Sequence, residues 1–378
     1  MKHFLSQRMQ GIEKTLIRQI HDRADSSCIN LGLGEPAFPP PPSLMDRLKE
    51  NIGHWKWGYS PNAGLEELRS LVAEKSGLPF TADQVCITVG AEEALFSILM
   101  VSLNPGDEVL IPDPGFPAYE SMVKIAGGQP KHYSLHREND FSLKSEDIQE
   151  RITEKTKIII LNSPHNPTGA VYLSEELIKL AEFLKQKDIL AVSDEVYKDI
   201  YFLHQPDSIA RYMSRCVVIN SLSKTYSMTG WRLGWCLVPS SLIKPVVAFH
   251  QISVICAPVI SQQMALLALK GRAEKERLNN LKELEKRKNF AVRCVEKYTD
   301  LKHVNPLGAF YLFVDVSAKT PGYGRSLDIS LSLLSKKKVV TIPGAAFGKN
   351  GEGYLRISFA PSPQKIEEGI KRIGQFFA

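Results

Sequence analysis

The stretch NSLSKTYSMTGWRLGW, Asn220–Trp235, sets Lys224 between Ser223 and Thr225, with Ser221 just upstream and Arg232 eight positions further on. A lysine among small hydroxyl residues is ordinary on a solvated surface, where the ammonium stays hydrated and does no chemistry. Other segments give it company. TVGAEEAL places Gly90 between a β-branched run and an apolar helical one, so the free amides of Ala91 and Glu92 would open a helix N-terminus suited to phosphate. NSPHNPTGA carries Asn166, and SDEVY carries Asp194 with Tyr197 three residues on. Taken singly, each has a plain structural explanation: a tight turn at Gly90, a turn residue before Pro167, a helix N-cap at Asp194.

As a set they comprise a phosphate-binding helix end, a carboxylate, a phenol, and a lysine thirty residues past the carboxylate. A phosphorylated pyridine aldehyde needs these groups. The lysine amine forms a Schiff base with the aldehyde, and a buried carboxylate keeps the ring nitrogen protonated so that the ring draws electrons. The hydroxyls and Arg232 hold the phosphate.

Whether these residues can meet depends on the elements that carry them. QVCITV, EVLIP, KIIILN, ILAVSD, RCVVIN and RLGWCLV read as strands; between them AEEALFSILMVSL is apolar almost all round and LSEELIKLAEFLKQK is amphipathic. This alternation predicts an α/β fold whose mainly parallel sheet carries helices on both faces. Strand ends in such a sheet gather along one edge, where ligands bind, which would bring Asn166, Asp194 and Tyr197 to Lys224. Near Lys270 the pattern changes to a long charged helix with Leu278, Leu281 and Leu284 as its apolar stripe. GAFYLFVDV, KVVTIP and YLRISFA follow, then a last helix from Ser362. The expected organisation is an N-terminal segment, residues 1–45, packing on a smaller α+β domain, 271–378, with a large cofactor-binding domain at 46–270.

Composition narrows the classes. The chain has 378 residues, 43% hydrophobic and 23% charged, as in an ordinary globular protein of two or more units. Its formal charge of +6 is spread along the whole length and predicts no nucleic-acid partner. Six scattered cysteines without a C-x-x-C pair argue against a disulfide framework or a zinc site, and a reducing, cytoplasmic setting is expected. The N-terminus never reaches an uninterrupted apolar run, so neither a signal peptide nor a membrane partner is expected.

SLSKTYSMTGWRLG fits the pattern S-x-S-K-x-x-x-M-x-G-x-R-x-G, and LGLGEPAF, YSPNAGLEELR, PGDEVLIPDPGFPAY, NSPHNPTGA, SDEVY, GAFYLF and YLRISFA occur in the matching order. In these the chain resembles, over nearly its whole length, the class I/II aminotransferases of fold type I, the aspartate aminotransferase superfamily, which use pyridoxal 5′-phosphate. The resemblance implies a seven-stranded large domain plus a smaller one, with Lys224 as Schiff-base lysine and proton shuttle and Asp194 paired with the ring nitrogen. Tyr197 and Asn166 would hydrogen-bond the ring's phenolic oxygen, and Phe116 would stack on the ring. Ala91, Glu92, Ser221, Ser223 and Arg232 would cradle the phosphate, Glu92 through its amide with its side chain turned away. Arg356 would grip the substrate α-carboxylate, with Asn166 and the backbone of Gly34 beside it. Tyr59 would reach the cofactor phosphate of the neighbouring subunit, making a homodimer with two shared active sites. By residue type alone, Trp55 and Trp57 in HWKWGY read as core.

The activity so implied is ping-pong transfer of an amino group from an L-amino acid to a 2-oxo acid. Other enzymes on this scaffold, such as carbon–sulfur β-lyases, cyclopropane-forming synthases or amino acid oxidases, share the first step and break a different bond next. A non-catalytic sensor is a further alternative, although the roughly thirty residues ahead of LGLGEPAF are too few for a helix-turn-helix module and linker. No arginine stands in a recognisable motif for a distal carboxylate, so a neutral or broad range of donors is expected.

Overall fold

The computed structural model describes residue 4 and residues 6–378. Its strands in chain order are β1 (Ile29–Asn30), β2 (Val85–Thr88), β3 (Glu108–Asp113), β4 (Gln129–Ser134), β5 (Thr156–Asn162), β6 (Leu190–Asp194) and β7 (Cys216–Ser221). Then come β8 (Gly234–Leu237), β9 (Lys302–His303), β10 (Tyr311–Asp315), β11 (Val339–Val340), β12 (Ile342–Pro343) and β13 (Tyr354–Ser358). The large sheet has seven strands in the order β2-β8-β7-β6-β5-β3-β4. Only β8 runs antiparallel to its neighbours, so β2, β3, β5, β6 and β7 all end on one edge.

Successive side chains of a strand point to opposite faces, and helices cover both faces here, so the central strands are apolar throughout instead of alternating. Ile158 and Ile160 face a layer that includes Val192, Val217 and the helix Ala91–Ser102. Ile159 and Leu161 face the opposite layer with Leu110, Ala191 and Val218. A third core lies between β10, β13 and the helices Glu274–Tyr298 and Pro363–Phe377. These few β-branched runs are enough to set the sheet, because each strand buries both its faces.

One strand was not read from the sequence, and two sequence expectations fail, each for an identifiable reason. QPKHYS forms the edge strand β4, with only Tyr133 of its side chains buried; an edge needs no apolar run and tolerates Pro130. KVVTIP is not one strand. Its first half, β11, pairs in parallel with β1, and its second half, β12, joins the four-stranded sheet β12-β13-β10-β9. In the long helix Leu284 is buried and Leu281 packs at the margin, but Leu278 is exposed, and the apolar face continues instead through Ala291, Cys294 and Val295. Among the described residues no helix is long and apolar enough to cross a membrane.

Candidate active site

Parallel pairing sets Asn162 at the end of β5 opposite Asp194 at the end of β6. The carboxylate of Asp194 is buried and receives hydrogen bonds from neutral donors, the Tyr119 hydroxyl at 2.6 Å and the Val196 amide at 3.3 Å. Burial without a paired cation dominates, and although both donors pull the other way it lifts the carboxyl to about 6. The Asn162 side-chain amide donates to the Asp194 carbonyl at 3.0 Å, and its oxygen accepts from the Asn166 backbone at 3.0 Å, tying the two strand ends together.

β7 ends at Ser221, whose hydroxyl caps the short helix Leu222–Thr225 by accepting from Ser223 N–H. That turn carries Lys224 toward the strand-end edge. Its Nζ donates to the carbonyl of Gly34 at 2.7 Å. Desolvation pushes the amine down to about 8; Arg356 and Arg232 act in the same direction, while Glu35 and Glu92 oppose them.

The phosphate-type end is built by two residues in the left-handed region. Gly90, at φ 86°, turns β2 into the helix Ala91–Ser102. Arg232, at φ 49°, folds its guanidinium against that turn, donating to Thr229 O at 3.1 Å and to Val89 O at 3.5 Å. A Cβ at Gly90 would lie 2.6 Å from Arg232 Nη2, and one at Gly234 would lie 2.6 Å from Ala91 N, so both positions require glycine.

At the other end Arg356, in β13, is 2% exposed. Its Nη1 donates to Asn166 Oδ1 and its Nη2 to Gly32 O, each at 2.8 Å, while Nε is buried without a hydrogen-bond partner among the described residues. Its guanidinium stacks 4.2 Å from the Tyr311 ring centroid and 4.9 Å from that of Phe347. Tyr311 OH in turn shares a 2.7 Å hydrogen bond with Tyr197 OH, and burial raises both phenols. With Asn166 Oδ1 engaged by Arg356, the Nδ2 of Asn166 is the donor left to face a ligand.

Apart from Tyr59, every site residue expected from the sequence lines one cavity of about 800 Å³. The cavity brings Lys224, Asp194, Tyr197, Asn166 and Phe116 together with Ala91, Glu92, Ser221, Ser223 and Arg232 at one end and Arg356 and Gly34 at the other. Tyr59 lies outside it, 80% exposed. Trp57 is not core but 61% exposed, because its segment has nothing over it within one chain, while Trp55 packs at the edge of the core. Sequence reasoning missed Tyr119 and Tyr311, both inside quoted motifs, PGFPAY and GAFYLF; no local signal separates them from ordinary buried tyrosines. It also missed Arg18 and His21 on the helix Leu16–His21, which line the mouth.

A buried carboxylate with only neutral donors, a glycine cradle at a helix N-terminus and a lysine of lowered pKa fit pyridoxal phosphate: a ring N–H, a phosphate and an aldehyde carbon, respectively. Fold and site together define a fold-type-I α/β transferase. The sequence model described as Aminotransferase class I and II matches residues 26–373. The chain is 38% identical to a probable aspartate aminotransferase of Methanocaldococcus jannaschii, across 99% of this chain and 100% of that protein. It is 35% identical to aromatic-amino-acid aminotransferase 2 of Thermococcus litoralis, across 98% and 97% of the two chains. The solved structure of Thermus thermophilus aspartate aminotransferase with maleate superposes with a TM-score of 0.93 at 30% identity, covering 98% of this chain and 99% of that one. The chain belongs to the class I and II aminotransferase family, whose enzymes use pyridoxal phosphate, and it is an aminotransferase.

Proposed function

We propose that the protein transfers the amino group of an L-amino acid to a 2-oxo acid in two half-reactions, with pyridoxal 5′-phosphate held at Lys224. The observation that carries this reading is a lysine amine at about 8 in the same cavity as a buried arginine and a buried, unpaired carboxylate. When bound, the cofactor supplies an electron sink for the bond broken at the substrate α-carbon. The rest is done by this chain. Arg356 binds the α-carboxylate through its planar fork, assisted by the free Nδ2 of Asn166 and the backbone at Gly34, and so orients the α-hydrogen. Lys224 would take that proton from the substrate α-carbon as the neutral amine, the form that its lowered pKa keeps populated near neutrality. Asp194 would hold the proton on the ring nitrogen, Tyr197 and Asn166 would serve the phenolic oxygen, and Phe116 would pack on the ring. Ala91, Glu92, Ser221, Ser223 and Arg232 hold the phosphate.

In this reading residues 46–270 form the cofactor domain, residues 271–378 contribute Arg356, and residues 1–45 contribute Gly34 and the cavity mouth. Trp57, Tyr59, Ile252, Val254 and Ile255 are exposed, and Asn62 Nδ2 bonds Ile255 O, so two of these segments adjoin. An apolar surface of this kind supports a homodimer in which Tyr59 completes the partner's site. Six free cysteines accord with a cytoplasmic setting. A neutral or broad range of donors, aromatic ones among them, is preferred: of the other arginines lining the cavity, Arg232 is folded against the phosphate turn and Arg18 is paired with Asp22 at 2.9 Å, so neither is committed to a distal carboxylate. The test is the visible absorbance of the cofactor-loaded protein: single L-amino acids should bleach it, and a 2-oxo acid should restore it. An unmoved band, or ammonia released without an acceptor, would refute transamination.

A further inference from the structure

We infer that Glu93, backed by His250, is the positioning residue of the phosphate turn, so that the grip on a phosphate monoester depends on a carboxylate that does not touch it. The inference rests on the function proposed above and concerns the Val89–Gly90–Ala91 backbone. Glu93 is the third residue of the helix Ala91–Ser102 and reaches back across the turn, its Oε2 accepting from Val89 N–H at 2.9 Å. On its other side Val89 offers its carbonyl to Arg232 Nη2 at 3.5 Å. Val89 is thus held by Glu93 at its amide and by Arg232 at its carbonyl, just ahead of the helix end whose amides face the cavity.

The carboxylate is itself fixed. Oε1 accepts from Ser97 Oγ at 2.8 Å, one helical turn on, and His250 Nδ1 lies 3.1 Å from both oxygens. His250 is fully buried on the helix Ser240–Val254, which packs along the helix Ala91–Ser102. Its Nε2 has no partner among the described residues, so every hydrogen bond that the described residues make to this imidazole goes to Glu93. Burial opposes the charge on Glu93, yet the bonds from His250, Val89 and Ser97 outweigh it and hold the carboxyl below its ordinary value.

Charge and geometry make opposite forecasts. A negative side chain in the first turn offsets the positive helix end that attracts phosphate, so by charge alone its removal should tighten binding. If Glu93 acts by holding Val89, its removal frees the turn, and the pre-aimed amides lose their alignment. Binding should then weaken, and only for ligands that carry the phosphate.

Apoprotein is titrated with pyridoxal 5′-phosphate and with phosphate-free pyridoxal, following absorbance and intrinsic fluorescence. Glu93→Ala should raise the Kd for pyridoxal phosphate about tenfold or more, as expected for losing hydrogen bonds to a charged acceptor, and change that for pyridoxal less than about twofold. Glu93→Asp, which keeps the charge but shortens the reach, should behave like the alanine variant and serves if that one does not fold. Glu93→Gln, which keeps an acceptor for Val89 N–H and loses the charge, should recover most of the affinity. Tighter or unchanged binding in the aspartate and alanine variants, or an equal loss for both ligands, would overturn the positioning role. A wild-type protein that binds neither ligand would overturn the function proposed above, a separable result.

Discussion

Asp194→Asn should stabilise the protein without cofactor and destabilise the complex with it. The folded chain raises this carboxyl from its ordinary 3.8 to about 6 through burial, which neutral donors do not offset. That rise corresponds to about 3 kcal/mol. Between those two values the unfolded chain has lost the proton that the folded chain keeps, so stability falls as pH rises through the window and stays lower above it. Asparagine fills the same space without the charge, although its bond to Tyr119 is weaker by about 1 kcal/mol. The apo variant should therefore be more stable than the apo wild type by about 2 kcal/mol at about pH 8, and the gap should shrink toward about pH 5. Saturation with pyridoxal phosphate should reverse the order, because a protonated ring nitrogen compensates a carboxylate far better than an amide. Urea unfolding of both proteins, with and without cofactor at the two pH values, measures each term. An apo variant less stable than wild type at the higher pH, or a gap that ignores pH, would refute the burial argument.

Three further outcomes are expected. Covalent capture of pyridoxal phosphate by apoprotein should accelerate with pH with a midpoint at about 8, where half of the Lys224 amine has lost its proton, and level off above it; a midpoint near that of an ordinary lysine, followed by stopped-flow absorbance, would contradict the desolvated setting. Arg356→Lys should raise KM for amino acid donors at least about tenfold, since an ammonium cannot reproduce the fork now bonded to Asn166 and Gly32, while the cofactor spectrum stays unchanged. An unaltered KM would remove Arg356 from the carboxylate site. Trp57→Asp should leave a folded chain, the side chain being 61% exposed, but halve the mass seen by light scattering; retention of the dimer mass would count against this face as the interface.

Much of the site was legible because its chemistry lies in residue types held by short local motifs. Lys224 follows a strand that its own β-branched residues specify, and Asp194 ends another. Gly90 precedes a helix that is apolar almost all round, so the strand-to-helix turn is fixed by its neighbours in the chain. Central strands were readable for the same reason, since two buried faces demand continuous apolar runs. The polar edge β4, the division of KVVTIP between two sheets and the exposure of Leu278 were not, because each depends on what lies alongside.

What only the tertiary structure decided is how those groups are tuned. The hydroxyl that meets Asp194 comes from Tyr119, 75 residues away; Asn166 meets Arg356 across 190, and Glu93 meets His250 across 157. A pKa reflects burial and the charges within a few ångströms, and a rotamer reflects the donors around it, so neither is carried by the neighbours in sequence. From the sequence alone came the reagents, a lysine, a carboxylate, two arginines and a helix end. Packing of distant segments around one sheet edge set their protonation, their direction and their separation from water.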